Sequence, residues 1–313
     1  RSSDLVLKQG ATEYIRVPSA PAPQPPPVVV PPPATKGKFQ LGPSVLISHH
    51  LLEPAYQAGC RAFLIMEGLL AAVQFKQAHP DALVMYRKYI GRGYSIPDPQ
   101  LFRGEAKMGN GVVFVTPLNE CDGPCYGSPG EIEQRAKFDT ALGQMCRDNG
   151  TIYAAGGFSM GTPDFTRPDI CEAMKRFYAP GYNAGTFGMN MHLYSPNMRH
   201  VYDPTEWQWF ERRWEFLFTK CGFDPDPARV GIYCDETGVD EGGVGGFPAH
   251  NASAEDVRKW SVEFKKLSEL PLVVNGKSYP SPMRGAAVFQ AGHQDWKGYD
   301  VSPYFREIGS VNS

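Results

Sequence analysis

No run of apolar residues in the 313-residue chain approaches the roughly 20 that a membrane-spanning helix needs, which excludes a spanning α-helix. Charge of one sign is also in short supply. With 31 basic residues against 33 acidic ones the formal net charge is −2, and nothing favours nucleic acid or a membrane as partner. The seven cysteines (Cys60, Cys121, Cys125, Cys146, Cys171, Cys221 and Cys234) contain no CxxC pair, so a zinc framework is not expected. Disulfides and free thiols weigh evenly, Cys121 with Cys125 or with Cys171 being the candidate bridges. His49, His50 and His293 have no third ligand at metal spacing, so no metal is expected. The glycine-rich stretch from Gly238 to Gly246 lacks the lysine and the strand-loop-helix order of a phosphate loop, and reads as a flexible loop. No cofactor is expected, and a serine esterase is set aside.

What is present points to a large core: 42% of residues are hydrophobic and 20% charged, enough for one large domain or two smaller ones. Aromatics reach 12%, which suits a carbohydrate cleft and an ordinary core equally. The chain opens at Arg1 without a charged-then-apolar signal segment, and reads as a processed product or a piece of a longer protein. Residues 17–34 are dense in proline, which removes amide donors and fixes φ. They predict an extended tether, with the linker running over 17–38. The stub at 1–16 then reads as the end of a preceding segment or module, such as a wall-binding one, or as a disordered arm.

From residue 39 to 313, short apolar runs alternate with amphipathic patterns, as in repeated β-α units around a parallel sheet. Eight strand candidates emerge: Gln40 to Ile47, Arg61 to Glu67, Ala82 to Arg87, Val112 to Leu118, Thr151 to Ala155, Thr186 to His192, Arg229 to Cys234 and Ala286 to Gln290. Eight units over this length predict a (β/α)8 (TIM) barrel, an α/β fold. Helix starts are marked at Ser128-Pro-Gly-Glu131, Asp203-Pro-Thr-Glu206 and Ser253-Ala-Glu-Asp256. Each is followed by apolar residues at three-and-four spacing.

Two strand ends stop on a glutamate: Val112-Val-Phe-Val-Thr-Pro-Leu-Asn119-Glu120 on the fourth and Ile232-Tyr-Cys-Asp-Glu236 on the seventh. In a barrel of this kind the carboxyl ends of the strands carry the chemistry, so the register can bring the two carboxylates together. Asp235, Asp240 and Glu241 crowd Glu236 and are alternatives. Trp207, Trp209 and Trp214 lie at helical spacing, Trp214 reading as core and Trp207 or Trp209 as an exposed sugar-stacking ring.

An Asn-Glu ending strand four and a Glu ending strand seven resemble the pattern of clan A, the retaining (β/α)8 glycoside hydrolases. Strand six, Gly188-Met-Asn-Met-His192-Leu-Tyr194-Ser-Pro, looks like the His-x-Tyr end found beside their nucleophile. Strand five, Gly156-Gly-Phe-Ser-Met-Gly-Thr-Pro163, and Glu236-Thr-Gly238 are similar to segments of families 39 and 128. The resemblance covers about residues 39 to 305 and implies roles. Glu120 would be the general acid, then base; Glu236 the nucleophile. Asn119 would contact the sugar 2-hydroxyl, and His192 and Tyr194 would line the cleft, Tyr194 bonding Glu236. Two departures stand out: Cys121 where proline commonly follows Asn-Glu, and no tryptophan ending strand eight. Gln290, His293 or Trp296 would take over the platform. The implied protein is a secreted hydrolase of a β-linked glucan or related cell-wall polymer. A peptidoglycan-cleaving lysin, an inactive carbohydrate-binding barrel and an inverting hydrolase are the alternatives.

Overall fold

The computed structural model describes residues 38–90, 95–120, 126–226, 230–240 and 243–312. The stub, the proline-rich linker, Cys121, Cys125 and Glu241 lie outside them. One parallel sheet closes on itself in the order β11 (Met283–Ala291), β1 (Gln40–Val45), β2 (Ala62–Met66), β3 (Leu83–Arg87), β4 (Val113–Val115), β5 (Ile152–Phe158), β6 (Gly188–Met191) and β8 (Ile232–Val239). The β8–β11 pairing completes the ring. The sixth strand continues past His192 as β7 (Leu193–Ser195), which also pairs with β8. The result is an eight-position (β/α)8 barrel. A separate hairpin joins β9 (Leu272–Val274) to β10 (Lys277–Tyr279).

Barrel strands are buried on both faces, which is why they read as continuous apolar runs rather than as alternation. Period two still sorts them: Leu64 and Met66 of β2 join Met85, Val113, Val115, Ala154, Tyr233 and Ala287 in one cluster, while Phe63 and Ile65 pack with the larger outer core. That outer core is closed by α1 (Leu52–Gln57), α2 (Leu69–Ala78), α3 (Arg103–Ala106), α4 (Pro129–Asp148), α5 (Pro168–Phe177), α6 (Ala179–Asn183), α7 (Glu215–Thr219), α8 (Ala254–Glu269) and α9 (Phe305–Gly309). Pro54 sits in the first turn of α1, where its missing amide hydrogen leaves no helix bond unmade.

Two start signals work as read. Ser128 caps α4 by accepting from the Glu131 amide, with Pro129 at the first position. Ser253 and Asp256 form a reciprocal capping box on α8, whose Val257, Trp260, Phe264 and Leu267 are buried. The third signal does not open a long helix. Asp203 turns back to the Thr205 amide, the chain makes a short 3-10 turn at Trp207–Trp209, and α7 begins only at Glu215. The cause is polar: Glu211, Arg212 and Arg213 are all buried in between, with Glu211 accepting from the Ser195 hydroxyl and both arginines donating to backbone carbonyls. Trp214 is core, Trp207 donates its indole N–H to the Val201 carbonyl, and Trp209 is exposed.

Candidate active site

Glu120 follows β4 by a short loop, with φ of 25°, in the left-handed region. Its backbone is held from below: Arg135, buried on α4, donates to the Glu120 carbonyl at 2.8 Å and to the Leu118 carbonyl at 3.1 Å. Beneath the same loop lies Gly157, whose φ of +65° and close approach to the Leu118 carbonyl leave no room for a Cβ. Glu236 comes from within β8 and is 7% exposed. It accepts from Arg87 Nη2 at 2.5 Å and from the Tyr194 hydroxyl at 3.0 Å.

Arg87 ends β3 and is 3% exposed. Its guanidinium also donates to Asp235 Oδ2 at 2.7 Å and to Asn119 Oδ1 at 3.0 Å. One planar fork thus fixes both glutamate-bearing strand ends. His192 is fully buried; its Nδ1 lies 2.9 Å from Glu120 Oε1 and 3.5 Å from Glu236 Oε2, while Nε2 lies 3.1 Å from Asp235 Oδ1. A ligand atom from each of Glu120, His192 and Glu236 falls within 4.8 Å of the others.

The electrostatics follow from these contacts. Burial disfavours a charged Asp235, but the Arg87 and His192 charges beside it win and hold its carboxyl down at about 2. Burial likewise opposes a His192 cation, yet Glu236, Asp235 and Glu120 hold its pKa well above the usual imidazole range. Burial and the Glu236 charge push the Tyr194 phenol well up, so it remains a donor.

The cavity above these groups has a volume of about 480 Å³ and includes Asn119, Glu120, Tyr194 and Glu236 in its lining. Phe289, Trp296 and Tyr299 form one wall as an edge-to-face trio with ring centroids 5.5 to 5.7 Å apart. Asp240 also lines it and accepts from the Tyr299 hydroxyl at 3.0 Å. The sequence-predicted residues therefore divide. Asn119, Glu120, Tyr194, Glu236 and Trp296 line the cavity, and His192 sits directly beneath it. Gln290 is fully buried with its amide 3.4 Å from the His293 carbonyl, and neither residue is in the lining. At the end of the eighth strand it is Phe289 that lines the cavity, while Gln290 and His293, expected there as the platform, do not. Arg87, Phe289 and Tyr299 are additions that the sequence reading missed. Only Arg87 carried a signal, a charge ending an apolar strand.

By distance alone Glu120, His192 and Glu236 can ligate a cation. The Glu236 oxygen that faces His192 Nδ1 is Oε2, which accepts from the Tyr194 hydroxyl, while Arg87 holds the other, Oε1. Gly157-Phe-Ser159-Met-Gly161 has the Gly-x-Ser-x-Gly spacing of an esterase elbow, so the spacing itself does not exclude that chemistry. There the Ser159 hydroxyl pairs with Thr162 Oγ1 at 2.5 Å, and among the described residues no histidine bonds it. Cys171 is a free buried thiol, which corrects a Cys121–Cys171 bridge; Cys60, Cys146, Cys221 and Cys234 are free as well.

No family model and no curated protein matches the chain. Among solved structures it is similar to a GH5-4 broad-specificity endoglucanase from an uncultured bacterium, at 11% identity over 84% of each chain with a TM-score of 0.51. What the two share is a fold. A β-mannanase from Streptomyces thermolilacinus with mannohexaose gives 10% identity over 84% of this chain and 82% of its own, TM-score 0.49. The catalytic domain of a mannanase from Streptomyces sp. SirexAA-E gives 12% over 84% and 79%, TM-score 0.48.

Proposed function

We propose that the chain is a retaining glycoside hydrolase that cuts a polysaccharide by double displacement. The observation that carries the reading is the approach of the two carboxylates at one cavity floor, with oxygens of Glu120 and Glu236 no more than 4.8 Å apart. Retaining enzymes place their carboxyl groups about 5–5.5 Å apart, whereas inverting ones need about 6.5–9.5 Å to admit a water. The environments also differ as the two roles require. Glu236 is buried and accepts from Arg87 and Tyr194, which favours an ionised nucleophile with a fixed lone pair. The Glu120 side chain is 34% exposed to the cavity, where it can reach a leaving oxygen.

In the first step Glu120 passes its proton to the departing glycosidic oxygen while a Glu236 oxygen attacks the anomeric carbon, giving a glycosyl ester and a free chain end. In the second, Glu120 takes a proton from water as that water displaces Glu236, restoring both carboxyl groups. Asn119 has its Oδ1 committed to Arg87, leaving its Nδ2 as a donor for a sugar hydroxyl. The Phe289–Trp296–Tyr299 wall supplies the apolar surface against which a sugar ring packs. A β-linked glucan or related cell-wall polymer is the proposed substrate, in keeping with the endoglucanase of similar fold. Such a polymer lies outside the cell, so we assign an extracellular site of action.

The experiment is product release from β-1,3-glucan, mixed-linkage glucan, mannan, galactan, chitin and peptidoglycan by wild type, Glu120→Gln and Glu236→Gln. One polymer is expected to be cut, with both variants folded and slower by about 10³-fold or more. Binding without release would favour a carbohydrate-binding barrel, and cleavage of peptidoglycan alone a lysin. Cleavage indifferent to either substitution would refute the assigned pair.

A further inference from the structure

We propose that Asp235 is a positioning residue for this site, fixing His192 as a cation whose Nδ1–H is shared between the two glutamates. The proposal rests on the glycosidase reading for its consequence, but its physical core is independent of it.

The geometry leaves His192 few choices. Both ring nitrogens face carboxylate oxygens: Nε2 faces Asp235 Oδ1 at 3.1 Å, and Nδ1 faces Glu120 Oε1 at 2.9 Å and Glu236 Oε2 at 3.5 Å. A neutral imidazole carries a lone pair on one nitrogen: on Nε2 it would point at the Asp235 carboxylate, and on Nδ1 it would have to take the proton that Glu120 must deliver to the leaving oxygen. Only the imidazolium presents a proton on both sides. The Nε2 contact lacks the alignment of a hydrogen bond, so Asp235 acts on the ring chiefly through its charge. Asp235 is itself fully buried, anchored by Arg87 Nη1 and, at its backbone amide, by Asn190 Oδ1 at 3.1 Å.

Charge balance leads to the same place. The groups facing His192 are Glu120 from the β4 loop and Asp235 and Glu236 from β8, and those β8 carboxylates are met in turn by Arg87 from β3 and the Tyr194 hydroxyl from β7. With Arg87 and His192 cationic and Asp235 and Glu236 anionic, the buried charges cancel while Glu120 keeps the proton it must donate. A neutral His192 would leave an uncompensated negative charge among these buried groups. Asp235 is fully buried and is not among the residues lining the cavity, so it acts through His192 and Arg87 and not on substrate.

The test is ¹⁵N NMR of the histidine rings between about pH 5 and 8, where an ordinary histidine titrates. His192→Gln assigns the signal among the seven histidines. In the wild type His192 is expected to show both nitrogens protonated throughout. In Asp235→Asn the signal should titrate within this window, with kcat on the cleaved polymer falling about tenfold or more and KM holding within about twofold. A wild-type His192 that titrates like a free imidazole, or stands as a neutral tautomer, would overturn the proposal; this readout is taken on the wild type, and ring-to-backbone correlation assigns the signal should His192→Gln fail to fold. Absence of cleavage on every polymer would sink the glycosidase reading while leaving the imidazolium result to stand or fall by itself.

Discussion

At the scale of single residues, the fork of Arg87 organises the site. Its contacts to Asn119, Asp235 and Glu236 use the planar spread of a guanidinium, which a lysine ammonium at the same position cannot reproduce. Arg87→Lys should therefore lower kcat/KM on the cleaved polymer by roughly 10²-fold although the charge is kept, because Glu236 and Asn119 lose their common brace. Steady-state kinetics within about twofold of wild type would show that the charge alone matters. The residues ending strands four, six and seven were legible because a polar group closing an apolar run is informative by itself. Phe289 was not. Which of Phe289 and Gln290 faces the cavity depends on the last turn of a strand, and a one-residue change exchanges the two faces.

At the scale of elements, legibility followed local chemistry. The helix α8 could be read whole because its capping box, acidic first turn and apolar stripe agree. Ser253→Ala should lower stability by about 1 kcal/mol, seen as a reduced thermal midpoint, and leave cleavage unchanged since the cap is remote from the cavity. An unchanged midpoint would mean that packing of Trp260 and Phe264 alone secures the helix. Residues 203–221 show the opposite case: the cap signal at Asp203 was sound locally, but Glu211, Arg212 and Arg213 are needed as buried braces to β7, the end of α8 and the β5 loop. Long-range polar contacts outweigh helix periodicity there, and no window of sequence contains them.

At the scale of the whole molecule, the alternation of eight apolar runs with helical stripes was enough to read the barrel, since only closure buries both faces of every strand. Where strands end was less legible: β4 is only Val113–Val115, and β5 runs on to Phe158 because its glycines let it bend beneath the Glu120 loop. The barrel matters to function through one consequence, that it carries Glu120 and Glu236 from positions 116 residues apart to one cavity floor. The most direct test of that claim is to trap the glycosyl ester. A 2-deoxy-2-fluoro glycoside of the sugar released in the polymer panel, bearing a good leaving group, slows the second step more than the first. Intact-protein and peptide mass spectrometry should then show one glycosyl unit attached at Glu236, absent in Glu236→Gln. An active enzyme that gains no adduct, or gains it on another carboxylate, would contradict the double-displacement account.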